Sequence, residues 1–262
     1  MITSFEWHSN YVITIKLEFE TMAPAPKFSP RELEKMILDS AAKCIAETSL
    51  LDFTMSSVSK EAGLSMGSVY KVVQCKEDII VALATRFFRH QSAIFKQVLE
   101  MPVTTPEKII AITLLNPSKV QVYPFDAYLE SFAANELVIS RASEFWTDRM
   151  VKAGEECEAI FNKCMHDASG LGELTLLGDL AEMIGEINLG CWALTVGYQH
   201  VQRVVQIRNI SDGTDSLQEP VATDSHIVVC LQRLLNSYQW QTPLNSIGIE
   251  KVAHMLLEQG LR

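Results

Sequence analysis

Residues Thr54 to Ile79 read TMSSVSKEAGLSMGSVYKVVQCKEDI, and the punctuation of this stretch decides the fold. Thr54 is a capping residue ahead of a short helix through Ser57, Val58, Lys60, Glu61 and Ala62. Gly63 then offers the left-handed conformation that ends a helix. Leu64 is placed to plug the gap between helices, and Ser65 caps a third helix from Met66 to Val73. Two short helices joined by a glycine turn form the helix-turn-helix signature.

The chain on either side continues in helices. Upstream, Ser29-Pro30-Arg31-Glu32 is a start signal: a cap, a proline at the first helical position and the glutamate of a reciprocal capping box. Leu33, Met36, Ile37, Ala41, Cys44 and Ile45 follow at three-to-four spacing, one apolar stripe reaching about Glu47. Downstream, Ile79, Ile80, Leu83, Phe87, Ile94, Phe95, Val98 and Leu99 trace a helix from Lys76 to Glu100, about 38 Å long at 1.5 Å per residue.

Pro102, Pro106, Pro117 and Pro124 punctuate shorter helices over 105–115 and 124–136, and longer ones are expected over 140–167 and 173–208. The polar segment Ser211 to Pro220 reads as a loop, and two final helices span 224–241 and 246–259. The expected fold class is therefore all-α. An N-terminal three-helix head with the helix-turn-helix, residues 29–75, precedes a C-terminal helical domain, residues 76–262. Residues 1–28 form an extension in which Ile13, Ile15, Leu17 and Phe19 alternate with polar residues, as in a strand. A lone strand is not stable in water, so two readings stay open: an edge strand or arm, or a segment upstream of a true start at Met22.

The 262 residues are 48% hydrophobic and 21% charged with no run of eighteen apolar residues, which argues against disorder and against a membrane partner. The net charge of −10 is unfavourable for a polyanion, but it is unevenly spread. Residues 27–80 hold seven Lys/Arg against eight Asp/Glu, and residues 81–262 hold fourteen against twenty-one. A near-neutral head can bind nucleic acid if its few cations face one way. Six cysteines without a CxxC pair fit free thiols in a reducing cytoplasm, and Cys157, Cys164 and His166 lack zinc-ligand spacing, so neither metal nor cofactor is expected. No GxGxxG, Walker, GxSxG or HExxH motif is present, and no enzyme is expected.

The run from Thr54 to Ile79 resembles the DNA-binding head of the TetR family of regulators. Four elements carry the likeness: the capping Thr, Ala-Gly-hydrophobic-Ser, Gly-Ser-hydrophobic-Tyr, and Lys-Glu-acidic-hydrophobic. The resemblance covers about fifty residues. It implies that the third helix enters the major groove of a double-stranded, palindromic operator, with Met66, Gly67, Ser68 and Lys71 facing the bases. Tyr70, Thr54, Ser65 and Lys76 would hold phosphates, and Ser56 and Ser57 would approach from helix 2. Thr54 and Ser65 are needed as caps in any case. Met66 stands where many relatives have a polar or basic residue, which points to apolar contact such as a thymine methyl. Cys75 replaces the usual Ser and is expected to weaken the cap of helix 4.

In that family the helices flanking a loop such as 211–220 pair into a homodimer, which implicates Gly190, Ala193 and Gly197 on one helix and Ile227, Leu231, Leu234 and Tyr238 on the other. The latter stripe could equally be monomer core. A helix after Pro243 is an addition expected to cover the interface or the pocket. The aromatic middle is the candidate region for a small, largely apolar effector: Phe87, Phe125, Tyr128, Phe132, Trp192 and neighbouring Phe145 and Trp146, with Gln91, Glu186 and Asn188 as polar partners, although any single one of these residues reads first as ordinary core packing. The reading is a ligand-responsive, sequence-specific repressor, with helix 4 transmitting the ligand signal. The rival is a ligand-binding or protein-interaction module whose head no longer binds DNA.

Overall fold

A computed structural model of the chain describes residues 28–175, 178–208 and 219–262. The expected strand near residues 12–20, the Met22 start and most of the loop at 211–220 lie outside the described residues. Twelve helices and no strand occur among the described residues.

The head consists of α1 (Pro30–Glu47), α2 (Met55–Glu61) and α3 (Met66–Tyr70). Ser29 and Glu32 form the anticipated capping box, and Pro30 occupies the first helical position. Gly63 has φ of +63°. Leu64 N–H donates to Ser59 O at 3.0 Å and Gly63 N–H to Lys60 O at 3.1 Å, so the carbonyls left over at the end of α2 are satisfied through that left-handed residue. α3 stops at Tyr70, three residues earlier than its apolar pattern predicts, because Val73 turns back into the core as a fully buried plug.

The body follows as α4 (Lys76–Leu99), α5 (Thr105–Thr113), α6 (Pro117–Val120), α7 (Asp126–Ala133), α8 (Glu136–Ile139), α9 (Glu144–Gly170), α10 (Leu180–Arg208), α11 (His226–Asn236) and α12 (Ser246–Glu258). α10 begins later than the sequence pattern suggests, since Leu174 is drawn into a bridge with Trp240 and Asp179 caps the helix by accepting from Glu182 N–H at 2.9 Å.

Two hydrophobic cores divide the chain. One joins the head to the first half of α4, to α7 and α8, and to Trp146 at the start of α9. The other joins the end of α4 to α5, the end of α9, α10, α11 and α12. The residue 75/76 division is thus one of role rather than of packing, because α4 belongs to both cores and runs against α9. α12 lies on α5, where Lys251 Nζ meets Glu107 Oε1 at 2.6 Å. Gly248 admits that contact, since a Cβ there would stand 2.6 Å from Glu107 Oε1.

Candidate DNA-reading face and effector region

The reading face is built from caps. Thr54 Oγ1 accepts from Ser57 N–H at 3.0 Å while Ser57 Oγ accepts from Thr54 N–H at 3.1 Å. Ser65 Oγ accepts from Ser68 N–H at 3.2 Å. Beside these caps Ser56, Gly67, Tyr70 and Lys71 are exposed, and Ser57, Met66 and Ser68 are half-buried. Tyr70 is 49% exposed although it sits beside a dense core, so packing does not account for it. A Cβ on Gly67 would meet only Ser65 Oγ at 4.0 Å, so internal packing does not require glycine there either. The face is a surface of hydroxyls, one apolar side chain, one phenol and one ammonium around two short-helix starts.

Lys76 departs from expectation. Its Nζ donates to Leu51 O at 2.8 Å and stands 4.6 Å from the Phe53 ring centre, tying α4 to the loop between α1 and α2. That tie, rather than an outward reach to phosphate, fixes its direction. Cys75 does cap α4, with Sγ accepting from Asp78 N–H at 3.4 Å. Burial pushes its thiol up to about 11, so the cap stays a neutral, weak sulfur acceptor at neutral pH.

The turn between α3 and α4 is gripped by the body, a feature that no local sequence signal announces. Trp146, 1% exposed, donates from Nε1 to Val72 O at 3.1 Å. Buried Asp78 accepts from Gln74 N–H and from Ser143 N–H, each at 2.7 Å. Arg149 forms a two-pronged pair with Glu34 at 2.9 and 3.1 Å and lies 4.5 Å from the Trp146 ring centre. The start of α9 therefore holds both α1 and the end of α3, in addition to the route through α4.

The residues expected near an effector separate into core and surface. Phe87 and Phe125 are buried in the head-side core, with Phe132 packed against it, and Trp146 belongs to that same core instead of a ligand region. Asn188 is spent on α9, donating to Asn162 Oδ1 at 2.8 Å, and Glu186 accepts from Tyr238 OH at 3.4 Å. Gln91 is half-buried. Tyr128 and Trp192 are 56% and 63% exposed. Two concavities among the described residues are open, charged surface clefts, one beside Arg31, Asp39 and Arg86, the other beside Thr104, Glu107 and Lys251. Neither includes a residue expected at the ligand site.

The dimer stripe on α11 is corrected in part. Ile227 and Leu231 are 4% and 1% exposed within the single chain, so they are monomer core. Gly190 allows α10 to approach α11 internally, since a Cβ there would stand 2.9 Å from Leu234 Cδ2. An apolar periodicity reports that a face is buried, not against what. Ala193 and Gly197 remain exposed, in a row with Leu189 and Val201.

No family model and no curated protein matches the chain. Solved structures do. E. coli NemR in its reduced form aligns over 81% of this chain and 100% of its own at 15% identity and a TM-score of 0.51. A transcriptional regulator of the TetR/AcrR family from Thermobifida fusca YX-ER1 aligns over 79% and 99% at 16% identity and 0.51. The fold is that of the TetR/AcrR regulators. SmeT, the repressor of the Stenotrophomonas maltophilia multidrug efflux pump SmeDEF, shares it over 81% of this chain and 93% of its own, at 16% identity and 0.50. No helix among the described residues is long and apolar enough to cross a membrane.

Proposed function

We propose that the chain is a ligand-responsive, sequence-specific DNA-binding transcription regulator, a homodimeric cytoplasmic repressor released from a palindromic operator by a small, largely apolar effector. The carrying observation is the exposed set Ser65, Gly67, Tyr70 and Lys71 at α3, presented on a head whose own caps are complete. Met66, Gly67, Ser68 and Lys71 read base edges, while Thr54, Ser56, Ser57, Ser65 and Tyr70 position the backbone. The exposed face of α10 around Leu189, Ala193 and Gly197 pairs two copies, which sets two reading helices about 34 to 36 Å apart for successive major grooves. The chain acts by binding and not by turnover.

A second reading, a module whose head no longer binds DNA, is favoured by one observation: two of the head's cations are paired internally, Lys43 with Glu61 and Lys35 with Asp39, each at 2.6 Å. A gel-shift series with the DNA upstream of the gene, across a range of salt, separates the two. Saturable binding that weakens steeply with salt supports the regulator, and its absence at all concentrations overturns it.

A further inference from the structure

We infer that residues 141–149, at the start of α9, are a positioning clasp for the reading helix α3: they set its direction from the body, so that movement of α9 alters DNA binding without passing through α4. This deepens the regulator reading proposed above and rests on it.

α3 has five residues, little more than one turn, and a helix so short does not hold its own direction. The chain after it needs partners. Val72 N–H and Val73 N–H both turn back to Val69 O, at 2.9 and 3.0 Å, which leaves Val72 O and Gln74 N–H to be met from elsewhere. Trp146 Nε1 meets the first at 3.1 Å. Asp78 meets the second with one carboxylate oxygen and takes Ser143 N–H on the other, each at 2.7 Å. Asp78 is 1% exposed, so losing either donor would leave a carboxylate oxygen buried and short of a partner.

Two outer contacts complete the clasp. Arg141 O accepts from Cys75 Sγ at 3.4 Å, and Arg149 holds Glu34 of α1 at 2.9 and 3.1 Å. Arg149 also lies 4.5 Å from the Trp146 ring centre, so Glu34, Arg149, Trp146 and Val72 form one line from α1 to the end of α3. Nine consecutive residues thus contact α1, the α3–α4 turn and the first turn of α4.

The far end of α9 lies elsewhere. Met165 and Ala168 belong to the core shared with α10 and α11, whereas Trp146 belongs to the head-side core. Trp146 and Met165 are nineteen residues apart in one helix, about 28 Å along its axis. A packed, unbroken helix carries displacement as a rod. α9 therefore connects the α10 and α11 side of the body to the turn behind α3, alongside the route through α4.

The test uses the full chain and two readouts: amide hydrogen exchange at Val72 and Val73, and gel shifts with the DNA upstream of the gene. Asp78→Asn keeps the volume but offers one acceptor oxygen to two donors. Exchange at Val72 and Val73 is expected to rise about tenfold and DNA affinity to fall about tenfold. Glu34→Gln and Arg149→Gln change the net charge in opposite directions, so simple attraction to phosphate would move DNA affinity in opposite directions. The clasp moves both the same way: each should weaken DNA binding about threefold and speed exchange at Val72 and Val73. Asp148→Asn, an exposed neighbour on α9, should change neither readout. Circular dichroism confirms the helical content of every variant. Opposite effects of Glu34→Gln and Arg149→Gln on DNA binding, unchanged exchange at Val72 and Val73, or exchange that rises equally in α10 overturns the inference, the last because it marks a plain loss of stability. A wild type that shifts no DNA overturns the regulator instead, and exchange in the same variants then decides the clasp alone.

Discussion

In the head, Ser29, Thr54, Ser65 and Cys75 each accept from the third residue of the helix that they cap, at 3.0 to 3.4 Å. Where Arg203 of α10 reaches Tyr128 of α7, Arg203 Nε is buried with no acceptor among the described residues, and burial holds the Glu130 carboxyl above its ordinary range. The head spends its polar groups on itself and so arrives preformed, leaving an exposed rim for a rigid partner. The body leaves a polar group open here, a condition that costs free energy while it lasts. Preformed recognition and incomplete satisfaction are what a switch needs at its two ends: one element that must keep its shape, and one that gains when a second molecule arrives.

The largest effect should come from cutting the link between these regions. Trp146→Ala removes a buried ring shared by the head-side core and should destabilise the chain by about 3 to 5 kcal/mol in urea unfolding. If head and body are one cooperative unit, the whole transition shifts; a separate early melting of the head would instead show that the shared core is not a mechanical connection. Trp146→Phe is the finer probe. It keeps most of the volume and loses only the bond to Val72 O, about 1 kcal/mol. Hydrogen exchange should accelerate in the turn after α3, with α10 unchanged.

A smaller effect tests whether the exposed rim meets DNA. Tyr70→Phe deletes one hydroxyl and should weaken operator binding about tenfold, the equivalent of one hydrogen bond of about 1.4 kcal/mol. Lys71→Ala should lower affinity similarly for all sequences and reduce the slope of log affinity against log salt by about one. Both residues are exposed, so the unfolding midpoint should not move. An unchanged salt slope would leave the head a preformed surface without a polyanion.

How far the sequence could be read follows the same division. Ser29, Thr54, Gly63 and Ser65 act on neighbours within five residues, so their chemistry is written locally and the head was legible to within a turn. The surroundings of Glu130 were not, because Glu130 and Arg203 stand seventy-three residues apart and come under each other's influence only through the fold. The one trace they leave is the second of two carboxylates in the short α7, after Asp126, and a lone arginine in the Val-Gln-Arg-Val-Val run. Trp146 is core, the role that any single aromatic of that region reads as first, but an aromatic side chain carries no mark of which core it enters. The α11 stripe failed similarly, since Ile227 and Leu231 have the period of a buried face whether the cover is α10 or a second copy.

The smallest effect is a pH dependence of opposite sign in the two regions, carried by one glutamate in each. Bonds from the Ser29 backbone and hydroxyl hold Glu32 below its ordinary 4.5, outweighing a minor burial cost. Burial holds Glu130 above 4.5, and Arg203 and Trp192 offset it only in part. A carboxyl lowered by folding contributes stability above its unfolded value and loses it as pH falls through the folded one. A carboxyl raised by folding does the reverse: the folded state holds its proton more tightly, so its contribution is present at low pH and fades as pH rises through the folded value. Glu32→Gln should therefore lower the urea midpoint at pH 7 and do so less as pH falls below 4. Glu130→Gln should raise the midpoint at pH 7, by relieving a buried carboxylate, with the gain shrinking near pH 4. Carboxyl-carbon NMR titration of the two side chains checks the cause directly. If Glu130 titrates below 4.5 alongside Glu32, the carboxylate is as well satisfied as the head's, and the contrast between the two regions fails.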